Sequence, residues 1–327
     1  MKEKLPLGKR PEVRIVGKAP EEAKEEARKL LSALFGEYHL ADMTEEMLQE
    51  IKEKELQKDR IDRDIIKAAN EMINELLQQW GLQPFDIPDN NIHIIPDSLY
   101  GKIFTRMKIG DEMGATRLSQ QAIFINGEFK NKDFLDYLTG LFHEICHLKG
   151  YYAEELIKNN SDSYARKGYR IGFISAFPVE KLKRIGKNPK RTIVNFLGLN
   201  EAVVSDVVNV YTKEVLLKVG NEEALKSIEQ LNHEGLLEGK SYLDQLEVLE
   251  FVIKSIAEKT NLDEKVVRSL FHKAHFSGNI LEIGRLVEET FGKGSFRFLG
   301  TMDSGGKSAL RVLDHLQKQK RLLEKKE

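Results

Sequence analysis

Phe142-His143-Glu144-Ile145-Cys146-His147-Leu148 is the stretch on which the reading of this chain turns. Leu135, Leu138, Leu141, Phe142, Ile145 and Leu148 recur at helical spacing, which predicts a largely buried helix from Phe134 to Tyr152. Within it lies H-E-x-x-H. Residues i and i+4 share one helical face, one turn apart, so His143 and His147 can bind a single metal ion. Glu144 projects beside that metal, where it can take a proton from a metal-bound water. Two histidines and a glutamate are costly to bury without partners, and metal ligation supplies them. The plainer alternative is a helix whose histidines only hydrogen-bond to backbone or carboxylate groups.

A second segment supports the metal. Gly198-Leu199-Asn200-Glu201-Ala202-Val203-Val204-Ser205-Asp206 opens a helical stretch running to about Lys218, with Val203, Val204, Val207, Val210, Val215 and Leu216 as its apolar body. Glu201 falls in the first turn. A carboxylate there needs a cation or donors, because a helix N-terminus compensates only part of its charge.

With H-E-x-x-H followed by Leu199-Asn200-Glu201-Ala202 and Ser205-Asp206, the chain resembles the gluzincin branch of zinc metallopeptidases over roughly residues 91 to 218. The resemblance implies one zinc ion held by His143, His147 and Glu201, with Glu144 as general base and a peptide or protein as substrate. It also implies an oxyanion donor downstream of the glutamate ligand. The candidates are Tyr211, His233 and Tyr242; Tyr242 is preferred because it precedes a long apolar helix. In the E-x-x-x-D version of the pattern an aspartate four residues after the ligand supports the first histidine. Here that position is Ser205, roughly 40° from Glu201 around the helix, and Asp206 is roughly 140° away. Ser205 and Asp206 are both candidates to support the ligands, and Ser205 has the better angle.

The metzincin extension H-E-x-x-H-x-x-G-x-x-H is also partly present. Gly150 holds the glycine position, but Ala153 stands where the third ligand belongs and Glu154 is one residue late. Gly150 reads as a helix stop, and Glu154 with Glu155 as a solvated pair.

Asn91 to Pro96 and Ala115 to Asn126 have strand composition. In zincins an edge strand before the motif helix can pair with an extended substrate, and 115–126 is the candidate. Gly168 to Ser175 reads as a further strand, half of a hairpin with the residues just upstream. These elements predict an α+β fold. A zincin-like core with a small mixed sheet, residues 86–220, is flanked by a charged helical region, 1–85, and a second helical region, 221–327.

Composition narrows the function classes. The chain has 327 residues and a formal net charge of −1, which argues against a general polyanion binder. The basic run Lys181 to Arg191 lacks interleaved aromatics and reads as a solvated linker, so no nucleic acid is expected. No apolar run approaches the ~20 residues of a membrane span. Met1 to Val16 shows no apolar leader. The one cysteine, Cys146, reads as core packing and permits no internal disulfide. A cytoplasmic protein is expected.

Two further patterns compete for attention. Ser304-Gly305-Gly306-Lys307-Ser308 ends like a phosphate loop, but the first required glycine would be position 301, which is Thr301. His272 and His275 are three apart on a predicted helix, but no carboxylate or thiolate motif accompanies them, so a surface or packing role is expected. The functional expectation is a zinc-dependent peptidase. The alternative is a non-catalytic or regulatory protein that binds a partner on a zincin scaffold.

Overall fold

A computed structural model describes residues 13–34, 44–104, 113–158, 164–178, 192–221 and 242–325. Positions 222–241 of the second helical region, with His233 among them, and the basic run at 181–191 lie outside these residues. The chain divides into two compact units: Met1–Lys149 with Lys158–Tyr164 and Val208–Gly239, and Gly150–Ile157 with Ala165–Val207 and Lys240–Glu327. Helices and small mixed sheets build both, an α+β arrangement at the coarse level. The units cut across the three sequence regions, because each is assembled from discontinuous segments.

The first unit holds β1 (Arg14–Val16), α1 (Glu21–Leu34), α2 (Glu45–Lys54), α3 (Arg60–Gln79), β2 (Ile92–Ile95), α4 (Asp97–Phe104), β3 (Gly114–Arg117), β4 (Ala122–Asn126) and α5 (Phe134–Lys149). Thr44 caps α2 by accepting from the Met47 N–H at 3.2 Å. Asp59 and Asp62 close α3 with a reciprocal capping box. Strands order as β2-β4-β3, with β2 parallel and β3 antiparallel to β4. The run 115–126 is therefore a hairpin. Its second arm is the central strand, buried at all five residues, and its first arm, β3, is the edge. α4 was not foreseen; at eight residues it is too short for periodicity to show.

α5 is the expected motif helix. It ends at Lys149, short of Tyr152, with Gly150 as the first residue beyond it. Leu138, Leu141, Phe142, Ile145 and Leu148 are fully buried, each worth about 1.5–3 kcal/mol relative to exposure. Polar bonds fix the helix along α3. Near its start the Tyr137 hydroxyl donates to Asp62 Oδ1 at 2.9 Å. At its end Lys149 Nζ donates to Asn74 Oδ1 at 2.8 Å and to the Asn70 carbonyl at 3.2 Å. The two helices thus run side by side in the same direction. Burial pulls the Lys149 ammonium down to about 7, against the opposing charge of Asp86. Gly140 leaves room for Met113, whose methyl would overlap any Cβ there.

The second unit holds β5 (Tyr152–Lys158), β6 (Tyr164–Ile171), β7 (Ile174–Pro178) and β8 (Thr192–Asn195), neighbours in that order. It also holds α7 (Leu243–Thr260), α8 (Glu264–Ser277), α9 (Leu281–Phe291), α10 (Ser295–Leu299) and α11 (Gly306–Glu324). The run 168–175 is not a single strand. It turns within itself, pairing Ile171 with Ile174 across Gly172 and Phe173. Gly172 has φ +53°, the positive value that a tight two-residue hairpin turn requires at its first position. The helices enclose a core that includes Phe173, Val203, Val252, Phe271, Val287 and Val312. α6 (Leu197–Val219) contributes to both units, its first eleven residues to the second and the rest to the first.

Glu154 departs from its expected surface position. It is 1% exposed on β5, where the Tyr152 hydroxyl donates to its Oε1 at 2.5 Å. Strand alternation turns it inward with Tyr152. The sequence Ser304 to Ser308 forms the start of α11. Asp303 accepts from the Gly305 N–H at 2.8 Å and from the Ser308 hydroxyl, so these groups are engaged within the chain. Among the described residues no helix is long and apolar enough to cross a membrane.

Candidate metal centre

Helical geometry places His143 and His147 as their spacing requires. Both are half-buried on α5, and their Nε2 atoms are 2.9 Å apart. Two nitrogens each ~2.0–2.1 Å from a tetrahedral zinc would be roughly 3.3 Å apart, close to what is seen. The rings meet edge to face, with centroids 4.6 Å apart.

Glu144 is 8% exposed. Its carboxylate does not join the histidines. Instead it turns toward β3, where the Thr116 hydroxyl lies 2.6 Å from Oε2 and 3.1 Å from the Glu144 carbonyl. Cys146, the intervening position, is fully buried, and burial pushes its thiol well above the usual range. It is inert packing, as expected of a small residue on the core side of the helix.

Glu201 enters from the second turn of α6, one turn further in than expected because the helix already starts at Leu197, and is 8% exposed. This helix start is held firmly. The Phe196 N–H donates to the Gly300 carbonyl at 2.7 Å, and the Gly198 N–H to the Met302 carbonyl at 2.9 Å. Gly198 permits that approach, since a Cβ would overlap the Asp303 carbonyl oxygen. Two of the free N–H groups of a helix N-terminus are thereby satisfied without using the Glu201 carboxylate. One ligand atom from each of His143, His147 and Glu201 lies within 4.8 Å of the others, and among the described residues this is the group of histidine and acidic side chains able to hold a metal ion. Two imidazole nitrogens and one carboxylate match a zinc donor set that leaves a position open. Glu154 is not part of the group.

The other sequence candidates have different surroundings. Asp206 is not a member of the group; its Oδ2 is 2.7 Å from His272 Nε2, and its Oδ1 pairs with Arg268. Ser205 is half-buried, as are Tyr211 and Tyr242. Tyr242 immediately precedes α7 in a left-handed conformation, φ +71°. Sequence reasoning missed Thr116 and Gly114. Period-two alternation puts both on one face of β3, but that signal does not say which helix the face meets. It also missed Asn200, whose Oδ1 accepts from the Phe173 N–H at 3.1 Å and lies 3.2 Å from His275 Nδ1. No protein-family model, curated protein or solved structure matches this chain.

Proposed function

We propose that the protein is a zinc-dependent peptidase of gluzincin type, acting on a peptide or protein substrate. The observation that carries the reading is the convergence of His143, His147 and Glu201, two neutral nitrogens and a buried carboxylate with ligand atoms within 4.8 Å of one another. Bound zinc would supply Lewis-acid polarisation of the scissile carbonyl and a lowered water pKa. The residues of the chain do the rest. His143 and His147 present Nε2 lone pairs from one helical face, and Glu201 adds its carboxylate. Glu144, adjacent to this face but not part of the ligand group, takes a proton from the attacking water and delivers it to the leaving amine. Tyr242 is the proposed oxyanion donor. Among the described residues β3 pairs only with β4, so its outer edge can add an extended peptide as a further strand.

A cytoplasmic setting suits a chain whose single cysteine is a buried free thiol. The test is hydrolysis of a library of internally quenched peptides by zinc-loaded protein. Cleavage by the parent and none by Glu144→Gln supports the reading. A parent that binds zinc but cleaves nothing supports the non-catalytic scaffold instead.

A further inference from the structure

Glu144 is held by the edge strand as well as by its own helix. Gly114 and Thr116, two residues apart on β3, present the same face. A Cβ on Gly114 would lie 2.6 Å from Glu144 Cγ and 2.9 Å from Ile125 Cδ1. Ile125 is fully buried and cannot retreat. The missing side chain is therefore the space through which the Glu144 stem passes. Beyond it the carboxylate reaches Thr116. The Thr116 hydroxyl has one proton and two nearby acceptors, Glu144 Oε2 at 2.6 Å and the Glu144 carbonyl at 3.1 Å. The shorter of the two is the stronger hydrogen bond, so the hydroxyl donates to Oε2. That bond occupies Oε2. Among the described residues no hydrogen bond to Oε1 accompanies it.

We infer that Thr116 is a positioning residue for the peptidase reaction: it anchors Glu144 Oε2 so that Oε1 is the oxygen that accepts the water proton, with Gly114 providing the channel for the side chain. The inference rests on the proposed peptidase function. It adds that the edge strand offered to substrate also orients the base, so that peptide binding and proton transfer share one four-residue element. A carboxylate free to rotate would spend part of its time with neither oxygen directed at the water, and catalysis is sensitive to such misplacement. Only the backbone of β3 is offered to substrate, while the Thr116 side chain turns to Glu144, so loss of the hydroxyl should slow turnover without weakening substrate binding.

Three variants test this: Thr116→Val, isosteric but without a donor; Thr116→Ser, which keeps the donor; and Gly114→Ala, which narrows the channel. Gly114 does not have a positive φ, so alanine is acceptable to the backbone there. On the quenched-peptide library with zinc-loaded protein, Thr116→Val should lower kcat about 10- to 100-fold. KM should stay within about twofold and zinc content should equal that of the parent. Thr116→Ser should retain kcat to within about threefold of the parent, and Gly114→Ala should fall between the two. Parental kcat in Thr116→Val, or a loss that serine does not restore, overturns the inference. A crystal structure of Thr116→Val decides the matter independently of activity. Glu144 spread over more than one rotamer supports the inference; a single unchanged carboxylate position overturns it. A parent that cleaves no peptide removes the proposed function, and the rotamer result then stands alone on whether Thr116 orients Glu144.

Discussion

The chain carries two pairs of histidines on helices, and the structure treats them in opposite ways. His143 and His147, four apart on α5, turn their Nε2 atoms toward one another at 2.9 Å and remain half-buried. His272 and His275, three apart on α8, are 1% and 0% exposed and turn to separate partners, His272 to Asp206 at 2.7 Å and His275 to Asn200 at 3.2 Å. Both spacings would let two imidazoles share a metal. The difference lies in what meets each ring. A histidine whose nitrogen already faces a carboxylate has a partner that compensates its burial. A pair whose Nε2 atoms face each other beside the Glu201 carboxylate offers converging ligand atoms that one cation could share. Spacing nominates both pairs alike, and the destination of each ring nitrogen tells them apart.

Three substitutions bear on this contrast. The largest effect belongs to the α5 pair and is chemical. Glu144→Gln should lower peptide turnover roughly 1,000-fold or more while zinc content stays near that of the parent, because the amide keeps the shape but cannot accept a proton. Steady-state kinetics beside metal analysis of the same sample checks it, and full activity in the variant would remove Glu144 from its role.

The next effect belongs to the α8 pair and is structural. Asp206 joins His272 to Arg268, and Arg268 continues to Glu250. Asp206→Ala leaves a buried imidazole and a partly buried guanidinium without their carboxylate. The loss should be about 3–5 kcal/mol of stability, read from urea unfolding. A change below about 1 kcal/mol would mean that the network contributes little and that the contrast between the pairs is weaker than drawn.

The smallest effect concerns the seating of α5. Tyr137→Phe removes the hydroxyl that reaches buried Asp62, but Lys130 Nζ still donates to that carboxylate at 2.9 Å. A loss of about 1–2 kcal/mol is expected, with zinc content unchanged, since the Lys149 end of the helix still holds. Loss of metal along with that small destabilisation would show that the histidine pair depends on the exact seating of the helix.

How much of this was legible in the sequence follows from the range of the interactions involved. The motif helix, His143, Glu144 and His147 are set by local periodicity, and that signal is strong. Glu201 is 54 residues beyond His147; it could be named because a carboxylate near the start of an apolar helix needs compensation, although it lies in the second turn and not the first. The hairpin 114–126 was visible as a strand run, but not which arm would be the edge, since pairing order is a tertiary choice. Glu154 was misjudged because a glutamate beside another glutamate reads as solvated, whereas strand alternation buried one of them against the Tyr152 hydroxyl. His272 was expected on the surface or in packing, and its pairing with Asp206 was not visible because that partner is 66 residues away. The Thr116 clamp was out of reach for the same reason. Its residues are ordinary on a strand, and only the packing of β3 on α5 gives them meaning.

The central claim is that His143, His147 and Glu201 hold one metal ion together. The most direct measurement is zinc per chain, by inductively coupled plasma mass spectrometry, on protein purified without a metal-affinity tag. The parent, His147→Ala, Glu201→Ala and His275→Ala should be measured together. The account predicts about one zinc per chain in the parent and in His275→Ala, with most of it lost from the other two. Zinc retained at the parental level in Glu201→Ala, or a parent that binds none after incubation with zinc, would contradict it.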